Sequence, residues 1–196
     1  MNLQNMKETL LARTITVIAS EGLDKTTTKA IVTGTGINEA YIYRNFSDKE
    51  DLLAKAFEEV DREIVDKAME HISAMYTRDM GYEARCRYFF FSMWEYFLDN
   101  KEKSLTFIRY YYSPYFKKYS AEAHRQRYEC LVSNFEHSFA PDIDAKILLN
   151  YIFNIMLNFA VKVFDGELPN DDNTSMQIFG LIYNSMRVYF KEVERC

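Results

Sequence analysis

The 196-residue chain has few of the residues that break a backbone into short pieces: six glycines and three prolines. A β-sandwich or barrel turns often and draws on both, so an all-β architecture is excluded. The three cysteines, Cys86, Cys130 and Cys196, are odd in number and far apart, with no CxxC. That pattern excludes a disulfide framework and a zinc site and fits a reducing compartment. No run of about 18 uncharged apolar residues occurs, so no membrane-spanning helix and no membrane partner are expected. Residues 1–20 lack a basic leader and are interrupted by Arg13, so they do not read as a signal peptide, and the expected location is the cytoplasm. An excess of basic charge is also missing. The 24 Lys+Arg face 29 Asp+Glu, a net charge of −5, which argues against indiscriminate nucleic-acid binding. There is no glycine-rich phosphate loop, no paired-acid motif and no His/Cys nucleophile arrangement, so an enzyme and a cofactor are not expected. His71, His124 and His137 show no metal-ligand spacing and read as surface or capping side chains.

Apolar residues make up 48% of the chain and aromatics 16%. That is incompatible with a disordered tail, and a chain of this length buries about 70% of its unfolded surface without staples. Almost every segment has helical periodicity. Leu11, Ile15 and Ile18 form one stripe, and Gly22 closes that helix. A long helix after residue 48 carries Leu53, Phe57, Val60, Ile64, Ala68, Ile72 and Met75 on one face, with Glu58, Glu59, Asp61, Arg62, Glu63, Asp66 and Lys67 covering the rest. After a break at Gly81, residues 82–99 are apolar nearly all round. Further helices are expected over 101–112, stopped at Pro114, over Tyr128 to Phe139, stopped at Pro141, and over 142–165 and 172–194. Charge is unequally placed: residues 1–49 hold six basic and five acidic side chains, leaving the rest at 18 against 24.

Residues 27–49 are the informative stretch. A threonine among Thr26-Thr27-Thr28 can cap a short helix. Gly34 and Gly36 bracket its end, with Gly36 suited to positive φ. Ile37 is an apolar anchor in the turn, and Asn38 caps a second short helix running to about Asn45. Ser47-Asp48-Lys49-Glu50 then reads as a capping box, with the Ser47 hydroxyl on the amide three residues on and Glu50 reaching back. This is helix-turn-helix spacing.

The same stretch resembles the TetR family of bacterial transcriptional regulators. The resemblance rests on Leu11, Ile18, Gly22-Leu23, Thr27, Ile31-Val32, Thr35-Gly36-Ile37-Asn38, Ile42-Tyr43, Phe46, Lys49-Glu50 and Leu52, over about residues 10–57. Departures are mild: Ile18 stands where the family often has Phe, Val32 where it has Ala, Thr35 where it has Ala, and Ala40 where it often has Gly. The resemblance implies an all-α protein of about nine helices. A three-helix DNA-binding head, residues 1–48, would be joined to a larger ligand-binding and dimerisation domain, residues 49–196. It implies that Thr27, Thr28 and Lys29 lie beside the DNA backbone. Asn38, Glu39, Ala40 and Tyr41 would open the recognition helix, and Tyr43, Arg44, Asn45 and Lys49 would hold phosphates. Glu39 could accept from cytosine N4, and Ala40 or Tyr41 could touch a thymine methyl. Glu39 could equally be a solvated charge, Tyr43 part of the packing, and Arg44 a surface partner of Asp48.

Beyond residue 50 no motif transfers. The resemblance implies a homodimer on a near-palindromic operator, released by a small-molecule effector. The aromatic, weakly charged segments then suggest an apolar or aromatic ligand among Phe89, Met93, Trp94, Phe97, Phe107, Tyr110, Tyr111, Tyr128 and Phe159, although such stripes are more often core. Leu149, Ile152, Met156, Phe179, Tyr183 and Met186 are the expected dimer-interface residues in a four-helix bundle across a two-fold axis. Asn150, Asn154 and Asn158 form a polar stripe on the first of these two helices. A DNA-bound scaffold that recruits a protein partner is the alternative reading.

Overall fold

The computed structural model describes residues 3–77, 79–135 and 143–189, which form nine α-helices and no strand among the described residues. They are α1 (Leu3–Glu21), α2 (Thr28–Val32), α3 (Ala40–Asn45), α4 (Lys49–Thr77), α5 (Tyr82–Asp99), α6 (Lys101–Tyr111), α7 (Ala121–Phe135), α8 (Ala145–Phe164) and α9 (Asp172–Met186). Phe139, Pro141, His137, Phe190, Val193 and Cys196 lie outside the described residues. α6 stops at Tyr111, before Pro114 as expected, and beyond the proline a π-helical segment, Phe116–Ser120, leads directly into α7.

The chain divides into two compact units, one of Met1–Glu63 with Asn100–Arg125 and the other of Ile64–Asp99 with Gln126–Cys196. The head expected at residues 1–48 is therefore the nucleus of a larger unit that also takes in the first half of α4, all of α6 and the start of α7. α4 is one continuous helix whose two halves belong to different units.

In the first unit, Leu10, Ile31, Ile37, Ile42, Phe46 and Leu52 make a small core under α2 and α3. A second cluster joins Ile18, Leu53, Phe57 and Tyr110, with Phe107, Tyr111, Tyr115 and Phe116 packed against it. α6 is bound to α1 by polar contacts as well. Thr106 Oγ1 donates to the Ile15 carbonyl at 2.9 Å. Arg109 Nη1 donates to the Ile18 and Ala19 carbonyls at 2.7 and 2.8 Å, adding a bond to two carbonyls in the last turn of α1, where helix acceptors are least satisfied. The α4 stripe is as read, with Leu53, Phe57, Val60, Ile64, Ala68, Ile72 and Met75 all buried. Asp61 departs from the expected charged face: it is buried, at 1% exposed. Its Oδ1 lies 2.8 Å from Nδ1 of His124. His124 is no surface side chain either, for Phe57, Phe107, Tyr111 and Phe116 surround its ring at 5.4–6.3 Å between centroids. A carboxylate can stay buried here because it has this polar partner.

The second unit packs α5, α8 and α9 together. Phe153 of α8 meets Phe89, Phe97 and Tyr128 edge-on, at 6.3–6.4 Å. Phe179 of α9 lies 5.4 Å from Phe90, and the Arg87 guanidinium sits 4.8 Å from the Phe179 ring centroid. By length and composition α8 is the one helix among the described residues that could cross a membrane, which the sequence reading did not expect. Its Leu148, Leu149, Ile152, Phe153, Met156, Leu157 and Ala160 are buried in the chain's own core. Asn150 and Asn158 are exposed and donate to the carbonyls four residues back. A core helix passes the same length-and-composition test. Burial also lifts the Cys86 thiol to about 11.

Candidate nucleic-acid interface

The interface is built by local rules. Gly22, at φ 83°, closes α1, its amide donating to the Ile18 carbonyl at 3.0 Å. Thr27 caps α2: its Oγ1 accepts from the Ala30 amide at 3.1 Å, leaving the exposed hydroxyl hydrogen free to donate. Gly34 and Gly36 take φ of 79° and 71°, which side chains with a Cβ adopt at a cost. Between them Thr35 Oγ1 accepts from the Ile37 amide at 3.0 Å, and Ile37 turns into the small core. Asn38 Oδ1 accepts from the Ala40 amide at 2.9 Å, which starts α3. The entry to α4 is capped one residue later than the sequence suggested. Asp48 Oδ1 accepts from the Asp51 amide at 2.7 Å, and Asp51 Oδ2 reaches back to the Ser47 amide at 3.0 Å. Neither the Ser47 hydroxyl nor Glu50 makes the expected box, because α4 begins at Lys49 and its cap is therefore Asp48.

Thr27, Lys29, Asn38, Ala40, Tyr43 and Arg44 are exposed on this face, with Tyr43 at 59%. The other expected residues are more engaged. Thr28 donates its hydroxyl to the Glu39 carboxylate, joining the start of α2 to the start of α3. Tyr41 is half-buried against the small core, and the Arg44 guanidinium lies 5.4 Å from its ring centroid. Asn45 donates Nδ2 to the Tyr41 carbonyl at 2.8 Å. Lys49 is half-buried in the first turn of α4. Tyr43 is thus a surface ring rather than a packing element, and Arg44 lies over Tyr41 instead of pairing with Asp48. The bridge between Thr28 and Glu39 was not legible from the sequence, since it joins residues 11 apart across the turn.

The apolar residues expected in the larger domain are distributed differently. Phe107, Tyr110 and Tyr111 belong to the first unit, where Tyr110 stacks on Phe57 at 4.6 Å. Phe89, Met93, Trp94, Phe97, Tyr128 and Phe159 belong to the second. Leu149, Ile152, Met156, Phe179 and Met186 are buried inside the single chain, so their side chains are core and not free surface. Tyr183 is half-buried and stacks on Phe179 at 5.5 Å. The large apolar groups that α8 and α9 do present outward are Ile147, Tyr151, Met176 and Leu181. No group of three or more metal-ligating side chains gathers among the described residues.

Two short capped helices at a glycine turn, the second exposed, make a helix-turn-helix unit. Residues 10–56 match the family of bacterial regulatory proteins, tetR family, and the chain has the fold of a TetR-family transcription regulator. Solved structures of that fold align over nearly the whole chain. A TetR family transcription regulator from Marinobacter aquaeolei VT8 is 17% identical, with 93% of this chain and 95% of that one covered and a TM-score of 0.76. The fatty acid degradation regulator FadR from Bacillus halodurans is 16% identical, covers 92% and 96%, and has a TM-score of 0.70. A TetR-family transcriptional regulator from Haemophilus influenzae Rd is 16% identical, covers 96% and 98%, and has a TM-score of 0.64. No curated protein is a significant match to the sequence.

Proposed function

We propose that the chain is a ligand-responsive transcriptional repressor of the cytoplasm that binds a near-palindromic operator as a homodimer. The observation that carries this reading is the exposed opening of α3, with Asn38 and Ala40 outward, flanked by Thr27 and Lys29 of α2, Tyr43 and Arg44 of α3, and Lys49 at the start of α4. Hydroxyls, amides and cations around a protruding helix suit backbone phosphates on either side of a groove, while the helix start reaches base edges. Glu39, held by Thr28, positions α3 against α2 rather than reading a base.

A twin is needed because two recognition helices must meet half-sites about 34–36 Å apart. Ile147, Tyr151 and Leu181, exposed on α8 and α9, are the dimer contacts in this reading, in place of the buried residues of the same helices. An apolar or aromatic effector binds among Phe89, Met93, Trp94, Phe97, Tyr128 and Phe159 of the second unit. α4 belongs to both units, so repacking of its second half is carried along one helix to Lys49. A coupling of about 1–3 kcal/mol between effector and operator is enough to change affinity 5- to 150-fold, provided the effector binds the two states unequally.

Selection of bound duplexes from a random pool tests the reading. Enrichment of an inverted repeat supports it, and a pool left unenriched at low salt refutes it. The double variant Ile147→Glu with Leu181→Arg tests the interface: sedimentation should report monomers, with protomer helicity unchanged.

A further inference from the structure

We propose that the π-helical segment Phe116–Ser120 adds a second phosphate-binding element to the head: Lys117 and Lys118, far from the helix-turn-helix in sequence, hold DNA backbone phosphates alongside Lys49. The proposal rests on the operator-binding reading above.

The segment is pinned at both ends. Phe116 meets Phe57 of α4 at 5.5 Å and Tyr111 at 4.5 Å, in the cluster that also contains Leu53. Ser120 is buried, its Oγ 3.1 Å from the Tyr110 hydroxyl. The residues between, Lys117, Lys118 and Tyr119, are all exposed. The α4 residue that Phe116 meets, Phe57, lies eight residues, or about 12 Å at 1.5 Å rise, from Lys49 along the axis of α4, a gap that two long lysine side chains reach across. The neighbours of Lys118 agree with that placement. Its ammonium is favoured first by contact with Tyr119, whose ring centroid is 4.7 Å away, and further by the carboxylates of Glu50 and Asp48.

Charge supplies the partner. Residues 100–125 hold six Lys/Arg against two Asp/Glu, in a chain that is acidic as a whole. Three of the six are committed within the fold: Lys103 to Glu63, Arg109 to the α1 carbonyls, and Arg125 to Glu122. Lys117 and Lys118 make no ion pair among the described residues and remain at the surface. The first turn of α4 meanwhile carries Asp48, Glu50 and Asp51, three carboxylates where a phosphate has to approach. The ammonium groups of Lys117 and Lys118, on a segment anchored to the same helix, offset that repulsion and supply the cations a polyanion needs.

The test is titration of the full-length protein with its pool-selected duplex across a salt series. The Lys117→Gln/Lys118→Gln double variant should bind about tenfold more weakly at about 0.1 M salt, by the same factor on unrelated sequences. Its slope of log affinity against log salt should be shallower by about one to two per protomer, with an unchanged melting curve. Arginine at both positions should restore the slope. If Lys49→Gln flattens the slope and the double variant does not, the second element is overturned and the operator reading stands. If the unsubstituted protein binds no duplex at all, both fall together.

Discussion

The two units of this chain use the same residue types to different ends. The first holds 14 Lys/Arg and 13 Asp/Glu, the second 10 and 16. In the first, short helices are placed by caps and two positive-φ glycines over a small core of six side chains, and its rings gather separately around Phe57 and Tyr110, where α6 meets α4. In the second, long helices are held by rings from distant parts of the sequence, such as Phe89 on Phe135 and Phe90 on Phe179. The difference teaches where specificity of shape comes from. A turn between short helices needs backbone geometry fixed to within a residue, whereas an interior built of aromatic rings needs bulk at the right face and tolerates variation in which residue supplies it.

The comparison can be broken most forcefully from the second unit. Phe97→Ala removes a fully buried ring that meets Phe153, and should cost about 3–5 kcal/mol in denaturant unfolding, while operator affinity per folded molecule stays within twofold. In the first unit the matching change is smaller in energy and larger in function. Gly36→Val should cost about 2 kcal/mol, because a Cβ added there meets nothing within 4 Å and the penalty is the φ of 71° alone. Operator binding should fall at least tenfold, read by anisotropy. Thr27→Ala, which deletes the α2 cap, should cost about 1 kcal/mol and be detected as earlier amide exchange in residues 28–32.

The smallest effect belongs to the cap of α9. The Asp171 carboxylate accepts from the Thr174 amide at 2.8 Å, and that bond holds its pKa below the usual value. Its contribution is therefore present above the ordinary carboxylate pKa and lost as pH falls through the lowered one. Acid titration followed by circular dichroism should show a small loss in α9, and Asp171→Asn should remove its pH dependence.

Much of the first unit was legible because its determinants are near neighbours in sequence. Gly22, Thr27, Gly36, Ile37 and Asn38 each act within four residues, and each acts as expected. The cap of α4 was displaced by one residue because Ser47 and Asp48 are equally good acceptors, and only the start of the helix decides between them. Asp61 reads as part of the charged face because nothing near it in the chain announces His124, 63 residues later. Periodicity finds the apolar stripes of α8 and α9 without saying whether they face inward or toward a twin. Leu149 and Met156 face inward, and Ile147 and Leu181 do not. The nine aromatic and Met side chains grouped as one lining fall in two units for a similar reason: composition identifies bulky helices but carries no information on which of them meet.

Arg109 closes the carboxyl end of α1 from a helix some ninety positions downstream, and Thr106 ties the same helix one turn earlier. The helix-turn-helix unit is therefore part of a discontinuous module. Under the operator-binding proposal, moving the head onto a relative means moving residues 100–125 together with the N-terminal segment, since a splice at residue 48 would strip α1 of the side chains that finish it and leave a foreign α6 to fit a surface it was not shaped for.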